Sequence, residues 1–244
     1  MVREILFYIV VFLSNVIQSI TGFAGTVLAM PFSVMLVGYD AAKPALNALG
    51  LLASVYVAAV CRRSIDRREL LKMTGVMLAG MAGGMYLKRF FTGNPSLLYK
   101  TLGVIVIVFA LMNIVKALRR REDRTLPVPV SAALLLAAGV VHGMFVCGGP
   151  LLVTYASGRL RDKDAFRGTL SAVWILLNGV LFAADLYGGL FTAHTARLSL
   201  IGAAVLAAAL VVGNLVCQKL SRKAFLNLTY ALMLLSGISL FIKS

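Results

Sequence analysis

Long apolar runs without a charged residue recur along the chain, and they restrict its fold more than any other feature of the sequence. Three of them cover residues 102–115, 132–141 and 198–216. With 60% hydrophobic residues, the chain carries more apolar surface than a water-soluble domain of 244 residues needs for its core. Because a β-barrel would show short alternating segments instead, the sequence predicts an all-α integral membrane protein whose solvent is the lipid bilayer.

The formal charge of +15 does not indicate a nucleic-acid partner. The Lys and Arg residues stand in short loops between apolar runs and are not interleaved with the aromatic side chains that single-strand binding requires. Basic residues in such loops are topology signals and contact anionic lipids. We therefore expect no nucleic-acid binding.

The cysteines give no sign of a metal or disulfide framework. Cys61, Cys147 and Cys217 lie on separate segments, without a CxxC pair or a histidine at metal-binding spacing. We expect no metal site and no cofactor. The first residues, with Arg3 and an apolar run from Ile5, lack the cleavage pattern of a signal peptide, so we interpret them as part of the fold.

Four loops are rich in Lys and Arg, and the positive-inside rule places all four in the cytoplasm. They cover residues 62–72, 116–124, 159–167 and 219–223. The chain crosses the membrane twice between the first and second loops, at about residues 70–87 and 97–115. It crosses twice more between the third and fourth loops, at about residues 169–186 and 196–216.

The stretch between the second and third loops, residues 128–157, must leave and re-enter the cytoplasm within about thirty residues. A membrane span takes about twenty residues, so this stretch is too short for two spans and topologically wrong for one. Its middle carries residues that break helices, namely Gly143, Gly148, Gly149 and Pro150. We infer a re-entrant hairpin of two half-helices.

Residues 5–37 pose the same problem before the next span, at about residues 45–60. Their apolar run is interrupted at Thr21, Gly22, Gly25 and Pro31, and a second re-entrant hairpin that enters from outside solves the topology. Other glycines are expected only to pack helices together, namely Gly80, Gly83, Gly84 and Gly213.

Each half of the chain then consists of a re-entrant helical hairpin and three transmembrane helices, about eight transmembrane segments by conventional count. Because three spans reverse the orientation, the halves are predicted to be inverted repeats. Residues 22–25 and 146–149 stand 124 positions apart, and the same offset aligns Lys43 with Arg167. In one membrane domain we assign residues 1–118 to the first repeat, 119–129 to a cytoplasmic linker and 130–244 to the second repeat.

Motifs centred on the glycines carry a resemblance to a known family. They are residues 19–25 with Pro31, residues 43–45, Gly143, residues 147–150 and residues 167–169. With these motifs the chain resembles the TauE/SafE family of sulfite exporter-like membrane permeases, also called TSUP, over nearly its whole length. Ala24, Thr26 and Val146 stand where that family usually has glycine. The resemblance implies transport of a sulfur-containing or organic anion, such as sulfite, thiosulfate, sulfoacetate or a short carboxylate, in a bacterial cytoplasmic (inner) membrane.

The hairpin tips are the predicted substrate site. A half-helix whose N-terminus points into the membrane offers backbone N–H groups and a partial positive charge to an anion, and two inverted tips that meet near the bilayer centre would form one site at the repeat interface. Close helix packing is the alternative explanation of these glycines. The predicted substrate-binding residues are Gln18, Thr21, Gly22, Phe23, Gly25, Lys43, Asn47, His142, Cys147, Gly148, Gly149, Arg167, Thr169 and Asn178.

Five of the polar residues keep more than one interpretation. Lys43 and Arg167 stand at opposite entrances, where they either draw anions in or snorkel to the interface. His142 either relays protons or is a buried neutral histidine. Cys147 either reacts with a sulfur substrate or packs as a small side chain. Asp185 is expected to be an interfacial acid.

The function that the sequence favours is alternating-access transport of a small anion, with protons or sodium as a coupling ion or with no coupling. A channel is the first alternative, and it would require a continuous polar pore. An intramembrane enzyme that uses His142 and Cys147 is a weaker one, because no set of nucleophile, base and orienting group is recognisable. We expect no catalytic residues, and a homodimer is compatible with the sequence.

Overall fold

In the computed structural model the described residues are 2–87 and 127–221, with separate helical positions between 100 and 115 and between 223 and 238. Within these residues every regular element is a helix and none is a strand, which confirms the all-α class. The α-helices are α1 Val2–Thr21, α2 Ala24–Val37, α3 Tyr39–Val60, α4 Arg67–Leu87, α5 Val128–Phe145, α6 Gly149–Ala156, α7 Lys163–Tyr187 and α8 Ala193–Lys219, and a 3-10 turn covers Arg62–Ser64.

Six of these helices are long and apolar enough to cross a membrane. Four of them are α3, α4, α7 and α8, which confirms the predicted spans that begin near residues 45, 70, 169 and 196. The other two are α1 and α5, the first arms of the two predicted hairpins. The predicted span at residues 97–115 and the linker at residues 119–129 fall mostly outside the described residues.

The chain forms two compact units, and each unit takes helices from both predicted repeats. The first unit contains Met1–Leu70 and Arg167–Leu220, and the second contains Leu71–Phe166 and Ser221–Ser244. Helices α1, α2, α3 and α8 and nearly all of α7 therefore belong to the first unit. Most of α4, with α5 and α6, belongs to the second.

In the first unit, α1 lies parallel to α8 over nearly its full length. The Glu4 carboxylate near the start of α1 pairs with Arg197 near the start of α8. At the other end, the Cys217 thiol lies 3.6 Å from the carbonyl oxygen of Ile20. The sequence predicts a half-helix here, but α1 has 20 residues, or about 30 Å. It lies alongside α8, a helix long enough to cross a membrane, over nearly its full length.

The break between α1 and α2 falls at the predicted glycine motif. Gly22 has a φ of 81°, a left-handed conformation that glycine adopts without steric cost. Helix α2 then runs for 14 residues, and it continues through Gly25 and Pro31, which were expected to interrupt it. The hairpin thus has one long arm and one short arm, joined at a single turn.

Helices α3 and α7 pack antiparallel in the same unit. Lys43 at the start of α3 contacts Asp185 near the end of α7. A Cβ atom built on Gly168, near the start of α7, would lie 2.8 Å from the Cβ of Cys61, just past the end of α3. Adding the offset of 124 positions to Lys43 gives position 167, and subtracting it from Asp185 gives position 61. The contacts at the two ends of the helix pair thus correspond within one residue under this offset.

The second unit is built on close contact between α4 and α5. If a Cβ atom is built on Gly80 of α4, it lies 2.3 Å from a carbonyl oxygen of α5, and one built on Gly84 lies 2.2 Å from another. In the other direction, a Cβ atom built on Gly139 of α5 lies 2.2 Å from a carbonyl oxygen of α4, and one built on Gly143 lies 2.4 Å from another. Paired small residues four positions apart let membrane helices approach at their backbones. The prediction that Gly143 breaks a helix is therefore wrong, because it lies inside α5 and packs against α4.

The second hairpin also has unequal arms, of 18 residues in α5 and eight in α6. Val146 ends α5 with a φ of 60°, in the left-handed region that β-branched residues rarely adopt. Its backbone N–H donates to the His142 carbonyl oxygen at 2.7 Å. The break therefore lies at residues 146–148, three residues after Gly143.

Candidate functional site

The first hairpin tip satisfies its own backbone donors. The Thr21 hydroxyl donates to the Ile17 carbonyl oxygen at 2.9 Å and accepts from the N–H groups of Phe23 and Ala24 at 3.4 and 3.3 Å. The Gln18 side-chain oxygen accepts from the N–H of Gly25 at 2.8 Å. These side chains thus cap the N-terminus of α2, the role of a helix cap, whereas the sequence suggested that they bind substrate.

Arg167 holds the same tip from α7. Its Nε and Nη2 atoms donate to the carbonyl oxygen of Ser19 at 3.0 and 2.6 Å, and Nη2 also donates to Oδ1 of Asn214 at 3.2 Å. A Cβ atom on Gly22 would lie 3.1 Å from the Cα and carbonyl oxygen of Arg167. The guanidinium therefore neutralises the carbonyl end of α1, and Arg167 is buried against the tip. It does not line an open entrance.

The first tip lies toward one end of α7. Arg167 stands eight residues, about 12 Å, before the middle of this 25-residue helix. Close to it, the Thr169 hydroxyl accepts from the backbone N–H of Asp66 at 3.0 Å. Because Asp66 belongs to the first basic loop, the tip lies near the end of α7 that was predicted to face the cytoplasm. A position in the middle of the membrane does not fit this contact.

Lys43 and Asp185 form a buried ion pair, with Nζ and Oδ1 2.6 Å apart. The side chains are only 6% and 4% exposed. Asp185 is therefore not exposed at the interface, and Lys43 neither snorkels nor presents a free charge to an incoming anion. Sequence reasoning missed this pair, although an acid inside an apolar segment is a recognised signal of a buried partner.

Asn47 of α3 and Asn178 of α7 meet along the same helix pair. The Asn47 amide nitrogen donates to the backbone carbonyl oxygen of Asn178 at 3.4 Å. Both residues are buried. A Cβ atom on Gly50 would lie 3.1 Å from the Thr26 hydroxyl oxygen and 3.6 Å from the Asn178 amide nitrogen, so Thr26 of α2 lies near the same polar contact.

The predicted residues of the first unit do not form one compact site. Arg167 and Asp185 stand 18 positions apart on α7, or about 27 Å, with Asn178 between them. The structure instead separates three groups: the capped tip with Arg167, the two asparagines, and the ion pair at Lys43. Lys43 and Arg167 lie near opposite ends of α7.

The second tip lies in the second unit. His142, Cys147, Gly148 and Gly149 lie close together at the junction of α5 and α6, and all four are buried. A Cβ atom on Gly148 would lie 2.9 Å from the Cβ of His142. Gly148 is the N-cap of α6, and it has no side chain to cap the first N–H groups of that helix. This tip therefore differs from the first, where side chains fill that role.

An open groove with charged walls lies at the other end of the first unit, and the sequence did not predict it. It has a volume of about 700 Å³ and is lined by Arg3, Glu4, residues 34–38, His194 and Arg197. Arg197 is paired with Glu4, so the groove carries one more positive than negative formal charge. Among the described residues, no cluster of His, Cys, Asp or Glu could hold a metal ion.

A bundle of membrane-length helices with two glycine-broken hairpins defines a multi-pass membrane protein. A family model described as "Sulfite exporter TauE/SafE" matches residues 7–240, and the chain therefore belongs to that family. This confirms the resemblance drawn from the glycine motifs and makes the protein a membrane transporter. No curated protein and no solved structure matches the chain.

Proposed function

We propose that the protein carries a small sulfur-containing or organic anion across the bacterial cytoplasmic membrane by alternating access. Sulfite, thiosulfate, sulfoacetate and short carboxylates are the candidate substrates. The observation that carries the proposal is the family match over residues 7–240, because the family is described by the export of an oxyanion. The geometry of the second hairpin supports a binding site for that anion at the start of α6.

The start of α6 is the part of the second hairpin best suited to an anion. Gly148 and Gly149 bring no side chain between a ligand and the backbone, and an α-helix carries a partial positive charge at its N-terminus. Pro150 has no N–H, so the donors are those of Gly149 and Leu151. The first tip, whose donors are capped by Thr21 and Gln18, is proposed to act as a rigid support.

The groove at Arg3 and Arg197 supports a second part of the proposal. A net positive surface concentrates anions near a membrane face by long-range attraction, which salt weakens. Lys43 was expected to have this role, but its charge is balanced by Asp185. We therefore place the anion-collecting surface at Arg3, His194 and Arg197.

The experiment is counterflow in proteoliposomes loaded with each candidate anion. Saturable exchange of at least one anion supports the proposal, and its absence for all of them refutes it. Gly149→Val should raise the KM for the anion because the added side chain covers the start of α6. Gly179→Ala is the matched control, since a Cβ at Gly179 has nothing within 4 Å. Unitary currents in planar bilayers would contradict a carrier and indicate a channel.

A further inference from the structure

The asparagine pair between α3 and α7 leaves two buried amide oxygens unsatisfied. Asn47 is 0% exposed and Asn178 is 5% exposed. Among the described residues, neither Oδ1 atom has a hydrogen-bond partner. Buried polar atoms in proteins nearly always have one, so these two oxygens point to a ligand.

The Asn47 amide is oriented by its neighbour. Its nitrogen donates to the Asn178 carbonyl oxygen, which is an acceptor and requires a donor. Exchanging the nitrogen and oxygen of Asn47 would place two oxygens against each other. The Asn47 oxygen therefore faces away from that carbonyl, and a ligand there must be a cation or a hydrogen-bond donor. An anion would be repelled.

The hydroxyl group of Thr26 lies beside the pair. The Thr26 hydroxyl oxygen of α2 and the Asn178 amide nitrogen both approach Gly50 of α3, at 3.1 and 3.6 Å from the position of an added Cβ. Glycine at position 50 therefore leaves room where a methyl group would press against the hydroxyl. Helices α2, α3 and α7 of the first unit therefore each bring a neutral polar side chain to this region.

We propose that Asn47, Asn178 and Thr26 bind an alkali-metal cation, for which sodium is the probe. Amide and hydroxyl oxygens are ligands for hard cations, and transporters bind sodium with neutral oxygens beside irregular helices. Asp185, the nearest acid along α7, stands seven residues or about 10 Å beyond Asn178 and is paired with Lys43. A site without a carboxylate favours a monovalent over a divalent cation.

The cation has a defined use if the proposed anion transport is correct. A bound monovalent cation would balance the charge of a monovalent anion during the crossing of the membrane. Occupancy would also tie α2 of the first hairpin to α3 and α7. This coupling role rests on the proposed function, whereas binding of the cation does not.

Thermal unfolding of the purified full-length protein in detergent tests the binding. The transition temperature is compared in sodium chloride and choline chloride at equal ionic strength and without an anionic substrate. A ligand that binds only the folded state raises this temperature with its concentration, by about 5 °C or more at a hundredfold excess over Kd. A saturable rise in sodium but not in choline supports the site, and equal temperatures in both salts overturn it.

Variants localise the effect. Asn47→Ala with Asn178→Ala should abolish the sodium-dependent rise, and Gly50→Ala, which keeps all three ligands but crowds them, should reduce it. Ser33→Ala is the matched control, because Ser33 is also buried in the first unit and its hydroxyl also has no hydrogen-bond partner among the described residues. An undiminished rise in the double variant would overturn the assignment to these residues.

The outcome can be separated from that of the transport experiment. A sodium-dependent rise without anion counterflow would leave the cation site standing and refute the proposed function. Anion counterflow that is saturable in choline, in a protein with no sodium-dependent rise, would leave transport standing and refute the cation site.

Discussion

Lys43 and Asp185 lie 142 positions apart in the chain and form an ion pair 2.6 Å long inside the first unit. Removing two charges from water has a large desolvation cost, and their attraction offsets it only while both partners are present. The pair therefore fixes the register between the start of α3 and the end of α7. It holds these helices in place at the end opposite Arg167.

Replacing Lys43 alone should destabilise the protein strongly. Lys43→Ala leaves the Asp185 carboxylate buried and uncompensated, at an expected cost of about 3–5 kcal/mol. Lys43→Met combined with Asp185→Leu removes both charges, keeps the volume, and should recover most of that loss. The measurement is the thermal transition of each variant in detergent. A double variant no more stable than Lys43→Ala would show that the ion pair is not the source of the effect.

Arg167→Ala should lower both stability and transport, because the guanidinium holds the carbonyl end of α1 through Ser19. Loss of hydrogen bonds from a charged group is expected to cost about 1.5–3 kcal/mol. Arg167→Lys keeps the charge but not the planar fork, so it should recover only part of the stability. Asn214→Ala, which removes one longer contact, is the milder control. Normal stability with abolished transport in Arg167→Ala would instead indicate direct contact with the anion.

The sequence predicts the spans and both helix breaks because hydropathy and glycine chemistry act locally. Apolar runs of about twenty residues locate α3, α4, α7 and α8, and Gly22 and Gly148 mark the turns. The lengths of the hairpin arms were not predictable in this way. The charges of the loops predict arms that end halfway through the membrane, whereas the contact of Cys217 with Ile20 requires a full-length α1.

The polar pairings were beyond the reach of sequence reasoning for a different reason. Hydropathy assigns a residue to a helix, but it does not give the rotation of that helix or its neighbour. Thr21 and Gln18 have the chemistry of ligands and of caps alike, and only the position of the α2 N-terminus decides between the two roles. The partner of Lys43 likewise depends on α3 and α7 packing antiparallel.

Thr21→Val should destabilise the first hairpin. Valine keeps the shape of threonine but removes the oxygen that accepts from the N–H groups of Phe23 and Ala24. A buried donor left without its partner costs about 1–3 kcal/mol. Hydrogen exchange of these amides should accelerate while that of α6 does not change. Thr21→Ser, which retains the oxygen, is the control, and equal exchange in both variants would contradict the capping role.

Gly84→Ala should destabilise the second unit, whereas Gly83→Ala should not. A Cβ at Gly84 would lie 2.2 Å from the carbonyl oxygen of Val140, while one at Gly83 has nothing within 4 Å. The adjacent positions share the same helix, so the alanine's gain in helix propensity of about 1 kcal/mol applies to both and only the contact with α5 differs. Transition temperatures in detergent measure the difference. If the two variants had the same transition temperature, α4 and α5 would not be in backbone contact at Gly84, and the paired glycines would need another explanation.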